Sequence, residues 1–162
     1  MTQAVGQGPR TGELSAWVRF LHAHAAVTRA LSAELVREHG LTINDYEVLL
    51  HLSRAPKRRL RRVDLADRVL LTASGITRLL DGLEQSGYVE KQSCPKDGRV
   101  SYAFLTDAGI EKLREAAETH LDGVARLFLD RFDADERSTL AELLDRLPGN
   151  GGTADESCSP GA

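Results

Sequence analysis

The hydrophobic period of this chain changes after Gly87, and the change restricts the possible folds more than any other feature of the sequence. Before Gly87, apolar residues recur at the three-and-four spacing of amphipathic helices. After it, residues 88–92 and 100–105 read as two strands, with the turn-forming residues 94–98 between them. The pattern predicts a β-hairpin within an otherwise helical chain. The expected fold class is therefore mainly α with a small β-hairpin (α+β).

Six helices are predicted around this hairpin, and capping residues mark where most of them start or stop. Gly40 ends the first helix, in the position that glycine prefers after a helix C-terminus. Thr42 begins the second helix, and Asp45 three residues later completes a capping box. The six predicted segments are residues 13–39, Thr42 to the loop before Pro56, 60–70, Thr72 to Gly87, Thr106 to Phe128, and Asp133 to Leu147.

The length of 162 residues predicts one compact domain, expected over residues 13–147. Residues 1–12 and 148–162 are rich in small and polar residues and lack hydrophobic periodicity, so both are expected to be disordered tails. The apolar runs are far shorter than a membrane-spanning helix needs. Residues 1–9 show neither a basic leader nor an apolar h-region, so secretion is not expected. A cytoplasmic protein is expected, with its two cysteines, Cys94 and Cys158, reduced.

Charge is unevenly distributed along the chain. Residues 53–102 hold eleven basic and six acidic residues, a net charge of +5, whereas the rest of the chain carries −8. Such a basic block is either a solvated face or a surface that attracts a polyanion. The order of the predicted elements decides between these two interpretations.

The third and fourth helices are joined by a tight turn over residues 70–74 and followed by the hairpin, which is the arrangement of a winged helix-turn-helix. In that fold the second of the two helices enters the major groove of DNA. Small residues permit close approach, hydroxyls bind bases or phosphates, and arginine pairs with guanine. The alternative is an ordinary polar helix face. The candidate DNA contacts at this helix are its cap Thr72 and the outward-facing Ser74, Thr77 and Arg78.

Three stretches between residues 62 and 109 form a recognisable pattern: residues 63–68, residues 75–89, and Asp97-Gly98-Arg99 followed by Leu105-Thr106-Asp107-Ala108-Gly109. With this pattern the chain resembles the MarR (multiple antibiotic resistance regulator) family of winged-helix repressors. The flanking helices agree in number and order, so the resemblance covers about residues 13–147. It implies a homodimeric repressor that binds a pseudo-palindromic operator in double-stranded DNA and is released by a small molecule. The DNA-binding lobe would span about 42–105, and the dimerisation helices about 13–39 and 106–147.

The resemblance also assigns roles to residues of the hairpin, which is the wing. Arg99 would enter the minor groove, where a narrow and negative groove favours a guanidinium. Asp97 would orient Arg99, or alternatively cap the turn alone. Gly98 stands where the family often has a second arginine, so Arg99 would carry more of the binding. Arg61 and Arg62, within the basic run 57–62, would contact phosphates; a solvated basic loop is the alternative.

Relatives in the family bind small aromatic or phenolic anions between the dimerisation helices and the DNA lobe. Trp17, Arg19, His22 and Tyr46 are residues of suitable type for such a ligand, although the helical spacing of Trp17 also fits a core position. Cys94 in the wing is a candidate oxidant sensor, with Lys91 and Lys96 nearby to lower its pKa; an inert turn residue is the default interpretation.

Other classes of function have little support in the sequence. It contains no glycine-rich phosphate loop, no nucleophile elbow and no acid–base pair at a workable spacing, so an enzyme is not expected. His22 and His24 face different sides of a helix and cannot bind one ion together, so no metal site is expected there; a metal site shared between two subunits is the alternative. No cofactor is expected. The remaining alternative is a winged helix that binds another protein.

Overall fold

The computed structural model describes residue 12 and residues 14–69, 71–94 and 99–148. They fall into two compact units, one up to Gly123 and one from Val124 onward. The helices of the described residues are α1 Ser15–His39, α2 Ile43–Arg54, α3 Arg62–Arg68, α4 Ala73–Gln85, α5 Asp107–Leu127 and α6 Ala134–Leu144. The strands are β1 Arg59–Arg61, β2 Val89–Ser93 and β3 Ser101–Leu105, and short 3-10 turns occupy Pro56–Arg58 and Leu129–Arg131. The mainly helical fold with a β-hairpin is confirmed.

The helix ends follow the predicted local signals. Gly40 ends α1 in the left-handed conformation, with φ at 69°. Thr42 and Asp45 form a complete capping box at α2, because each side chain accepts from the other's backbone N–H. The hydroxyl of Thr72 accepts from the N–H of Gly75 at the start of α4. Asp133 and Glu136 form a second capping box at α6.

The prediction of a helix over residues 60–70 is wrong at its first two residues. Arg59–Arg61 form a third strand, in which Leu60 pairs with Ala103, and α3 begins only at Arg62. The cause lies just upstream, where Lys57 and Arg58 adopt φ values of 56° and 55°. This left-handed pair redirects the chain so that β1 runs antiparallel to β3, giving a sheet with the strand order β1-β3-β2.

The core of the first unit holds the two helices of the helix-turn-helix in place. α3 contributes Leu65, and α4 contributes Ile76 and Leu80. Each of these side chains has at most 1% of its surface exposed. They belong to one cluster with residues of α1, α2, the sheet and α5: Leu35, Val48, Leu49, Leu52, Val89, Ala103, Leu105 and Ala116. Burying each large aliphatic side chain contributes about 1.5–3 kcal/mol to the free energy of folding. The packing of these side chains therefore fixes the orientation of α4 in the first unit.

The chain passes from β3 into α5 through one residue, Thr106. Its hydroxyl donates to the carbonyl oxygen of Gly87, at 2.7 Å, and accepts from the N–H of Gly109, at 3.0 Å. A Cβ on Gly109 would overlap the carbonyl oxygen of Tyr88, so only glycine allows this approach. The first turn of α5 is thereby fastened to the segment that precedes β2.

The second unit contains the end of α5 and the helix α6. The rings of Phe128 and Phe132 meet edge to face at 5.5 Å, and Arg137 donates to the carbonyl oxygen of Leu129. An open cavity of about 380 Å³ lies along α6 and the two residues before it, Phe132 and Asp133. Among the helices that the structure describes, none combines the length and the apolar character needed to cross a membrane.

Candidate nucleic-acid interface

The N-terminal half of α4 presents a short polar row to solvent. Ser74 and Arg78 are exposed, one turn apart, whereas Ile76 and Leu80 on the opposite side are buried in the core. The hydroxyls of Thr72 and Ser74 lie 3.3 Å apart. This face therefore combines hydroxyl groups with one guanidinium. Its exposed residues include no bulky apolar side chain that would prevent a polar partner from approaching the helix closely.

Thr77 differs from its neighbours because its hydroxyl is already engaged on two sides. It donates to the carbonyl oxygen of Ala73 at 2.8 Å and accepts from Arg62 Nη1 at 3.2 Å. Arg62 begins α3, so this bond joins the first residue of one helix to the first turns of the other. Arg62 and Thr77, both predicted as DNA contacts, are brought together by the structure.

The three other arginines of the basic run, Arg58, Arg59 and Arg61, each have a partner on a different element. Arg58 pairs with Asp107 at 2.8 Å, and the guanidinium of Arg59 lies 5.0 Å from the centre of the Tyr102 ring. Arg61 forms two parallel bonds with Asp64, of 2.8 and 2.9 Å. These bonds raise the pKa of Arg61 and lower the pKa of Asp64. The basic run is thus an ordered surface of directed guanidinium groups.

The wing is attached to α4 by a charge cluster that the sequence analysis missed. Lys91 Nζ lies 2.6 Å from Asp81 Oδ1 and 2.9 Å from Glu84 Oε2, and the Lys91 backbone N–H donates to Glu84 Oε1 at 3.2 Å. The hydrogen bonds that Lys91 donates to both carboxylates raise the pKa of Lys91, and the bond from Lys91 lowers the pKa of Glu84. The i, i+3 spacing of Asp81 and Glu84 was a possible signal, but their shared partner lies on another element.

Arg99 is exposed at the C-terminal end of the wing turn. Asp97, predicted to orient it, lies outside the described residues, as does Lys96. Cys94, at the base of the turn, is half-buried and donates its N–H to the carbonyl oxygen of Val100 at 2.9 Å. The ammonium of Lys91, expected to act on the Cys94 thiol, is instead occupied by its two carboxylates on α4.

The four candidate ligand residues are not brought together. Trp17, Arg19 and His22 are exposed on the first half of α1, and Trp17 keeps 56% of its surface accessible. Tyr46 is 5% exposed and packs its ring against His120, at 4.4 Å between centroids. A groove of about 620 Å³ does lie farther along α1, next to the start of α2. Its lining residues are His24, Ala25, Thr28, Arg29, Ser32, Ala33, Val36 and Ile43.

Three of the histidines, His39, His51 and His120, are partly buried. His39 Nε2 lies 2.8 Å from the hydroxyl of Thr119, which joins α1 to α5. Burial lowers the pKa of His120, and burial with the charges of Arg68 and Arg54 lowers the pKa of His51. No group of three or more histidine, cysteine or carboxylate side chains in the described ranges is placed to hold a metal ion.

Comparison with known proteins agrees with this geometry. The sequence model of the MarR family matches residues 39–100. The chain is 33% identical to the uncharacterized HTH-type transcriptional regulator YkoM of Bacillus subtilis, over 67% of this chain and 68% of that protein.

Two solved structures from Streptomyces coelicolor are similar as well. Sco3205, a MarR family transcriptional regulator solved in complex with DNA, superposes with a TM-score of 0.80 at 31% identity, covering 86% of this chain and 88% of that one. AbsC, a second MarR family regulator, superposes with a TM-score of 0.78 at 30% identity, covering 86% and 94%. The fold, the helix-turn-helix with its wing and these relatives agree: the chain belongs to the MarR family of transcriptional regulators.

Proposed function

We propose that this protein is a homodimeric repressor that acts by binding a pseudo-palindromic operator in double-stranded DNA. The observation that carries the proposal is the polar row of α4, which lies beside an ordered arginine segment and is followed by a wing with an exposed arginine. The relative Sco3205 was solved in complex with DNA, which supports the same partner here. A dimer would place its half-sites about one helical turn apart, ~10 base pairs.

Within this proposal, α4 enters the major groove. Ser74 and Arg78 reach base edges, and Thr72 and Thr77 at the start of the helix contact bases or phosphates. Arg61 and Arg62 bind backbone phosphates beside the groove. Arg99 enters the adjacent minor groove, with Asp97 orienting it.

The homodimer is supported by apolar side chains that the described residues leave uncovered. Trp17, Val18 and Leu21 on α1 keep between 41% and 56% of their surface exposed, and Leu121 on α5 keeps 55%. The three α1 residues lie within about one helical turn of each other, and an exposed apolar patch usually marks a protein interface. A second copy would cover these helices with its own equivalents, because a two-fold interface pairs the same patches of both subunits.

Release by a small aromatic anion completes the proposed function. The groove of about 620 Å³ along α1 is of suitable size for a small ligand, and Arg29 and His24 on its wall are suited to an anion. The exposed Trp17, Arg19 and His22 lie on the same helix, toward its N-terminus. Tyr46, buried in the core, would reach a ligand only through a local rearrangement.

The proposal is tested by selecting duplexes from a random-sequence pool and measuring their binding by fluorescence anisotropy between about 50 and 200 mM salt. Wild-type protein is expected to retain a specific duplex with a steep salt dependence. Arg99→Ala should weaken that binding strongly and reduce the slope of log affinity against log salt by about 0.9, the share of one phosphate.

Arg114→Ala serves as the matched control, because Arg114 is also an exposed arginine but lies on α5, where it pairs with Glu111. Its affinity and salt slope should equal those of the wild type. If no duplex is retained at any salt concentration, DNA binding is contradicted, and the alternative of a winged helix that binds another protein is left.

A further inference from the structure

We propose that Lys91 is a positioning residue that locks the wing to α4, through Asp81 and Glu84, so that both enter DNA as one rigid body. The inference rests on the proposed DNA binding and adds residues that do not themselves contact DNA. Asp81, Glu84 and Lys91 are called the wing clamp below.

The wing clamp holds both the side chain and the main chain of β2. Lys91 Nζ contacts one oxygen of Asp81 at 2.6 Å and one of Glu84 at 2.9 Å. The other Glu84 oxygen accepts the Lys91 backbone N–H at 3.2 Å. Three bonds from one strand residue to adjacent turns of one helix leave little freedom for rotation between the two elements.

The position of β2 in the sheet explains why such a fastening matters. β2 is an edge strand, because β3 lies between it and β1. Its partner β3 supports it on one side, and the wing clamp binds it on the other. A two-stranded ribbon is marginally stable by itself, so the wing beyond the clamp needs a fixed base to keep a defined direction.

Fixing the base of the wing favours DNA binding, because the wing then loses less conformational entropy when the complex forms. Arg99 follows β2 along the wing and must reach the minor groove while α4 occupies the major groove. A wing that samples many orientations loses that freedom on binding, and the loss weakens the complex. A wing already locked at the working angle avoids this loss.

Removal of the two carboxylates distinguishes the wing clamp from a simple charge effect, because the two explanations predict opposite changes in DNA affinity. Asp81 and Glu84 are negative charges on the helix that approaches a polyanion, so their loss alone should strengthen DNA binding. Loss of the clamp should weaken it. The double variant D81A/E84A keeps helix propensity high, since alanine is the best helix former.

The expected result for D81A/E84A is a roughly two- to fivefold weaker affinity for the duplex selected from the random pool, the scale at which exposed ion pairs contribute. Lys91→Met should weaken binding similarly, and Lys91→Arg should restore it. Hydrogen exchange of the Lys91 amide, followed by NMR on the free protein, should accelerate in D81A/E84A because its acceptor is lost.

Glu90→Ala is the matched control. Glu90 neighbours Lys91 on the same exposed strand but alternates to the other face. Its loss also removes one negative charge, and it should leave affinity unchanged or slightly higher, with the Lys91 amide still protected.

Two outcomes overturn the proposal. If wild-type protein binds the duplex and D81A/E84A binds it equally or more tightly, the clamp has no role in binding while the proposed function stands. If wild-type protein binds no duplex, the proposed function and the clamp's role fall together.

Discussion

Two glycines within helices illustrate how strongly the effect of one residue depends on its surroundings. At Gly109, near the start of α5, a Cβ would overlap the Tyr88 carbonyl oxygen and lie 2.6 Å from Leu105 Cδ1. At Gly82, in α4, a Cβ would meet no atom within 4 Å. The first glycine is required by a close approach to backbone, and the second only lowers helix propensity.

Alanine at the two positions should therefore change stability in opposite directions. Gly109→Ala should lower the free energy of unfolding by about 1–3 kcal/mol, because backbone cannot move aside as a flexible side chain can. Gly82→Ala should raise it by about 0.5–1 kcal/mol through helix propensity. Urea denaturation of both variants measures the difference, and equal signs would contradict this account of the β3–α5 junction.

At the scale of the element, α4 makes a prediction that separates base reading from phosphate binding. Arg78→Ala should cost about 1–3 kcal/mol on the selected duplex and little on random DNA, because a bidentate contact to guanine is specific. Arg78→Lys keeps the charge but not the two-pronged geometry, so it should lose specificity as well. Anisotropy titrations on the selected duplex and on random DNA measure both affinities. If Arg78→Lys binds the selected duplex as tightly as the wild type, Arg78 contacts the phosphate backbone and not a base.

The elements also show which parts of the structure the sequence predicts. The capping boxes at Thr42 and Asp133 were predictable because their partners lie three residues away on the same helix. β1 was missed because the left-handed turn at Lys57 and Arg58 contains no glycine to signal it.

The candidate site likewise has features that the local sequence predicts and contacts between elements that it does not. The outward row of α4 follows from helical periodicity alone, so the exposure of Ser74 and Arg78 was predictable from the sequence. The wing clamp and the bond between Arg62 and Thr77 join residues of different elements. Their distances depend on how the core orients α3, α4 and the sheet, which no local pattern encodes.

At the scale of the whole molecule, the exposed apolar helices predict a dimer. Sedimentation equilibrium at micromolar concentration should give twice the chain mass. Leu121→Glu should shift the equilibrium to the monomer, because a charge would be buried against the second copy. Val63→Glu is the control, since Val63 is 57% exposed, as Leu121 is at 55%, but lies on α3. A monomeric wild type, or equal behaviour of both variants, would contradict the dimer.

The single-residue junction at Thr106 has a mechanical consequence. β3 is the central strand, bonded along both edges, and it continues into α5 with no loop that could act as a hinge. A torque applied to the first turns of α5 is therefore not absorbed locally but transmitted to the middle of the sheet. From there it reaches β1, which leads into the helix-turn-helix, and β2, which leads into the wing. A tilt of the first turns of α5 would therefore displace the helix-turn-helix and the wing together.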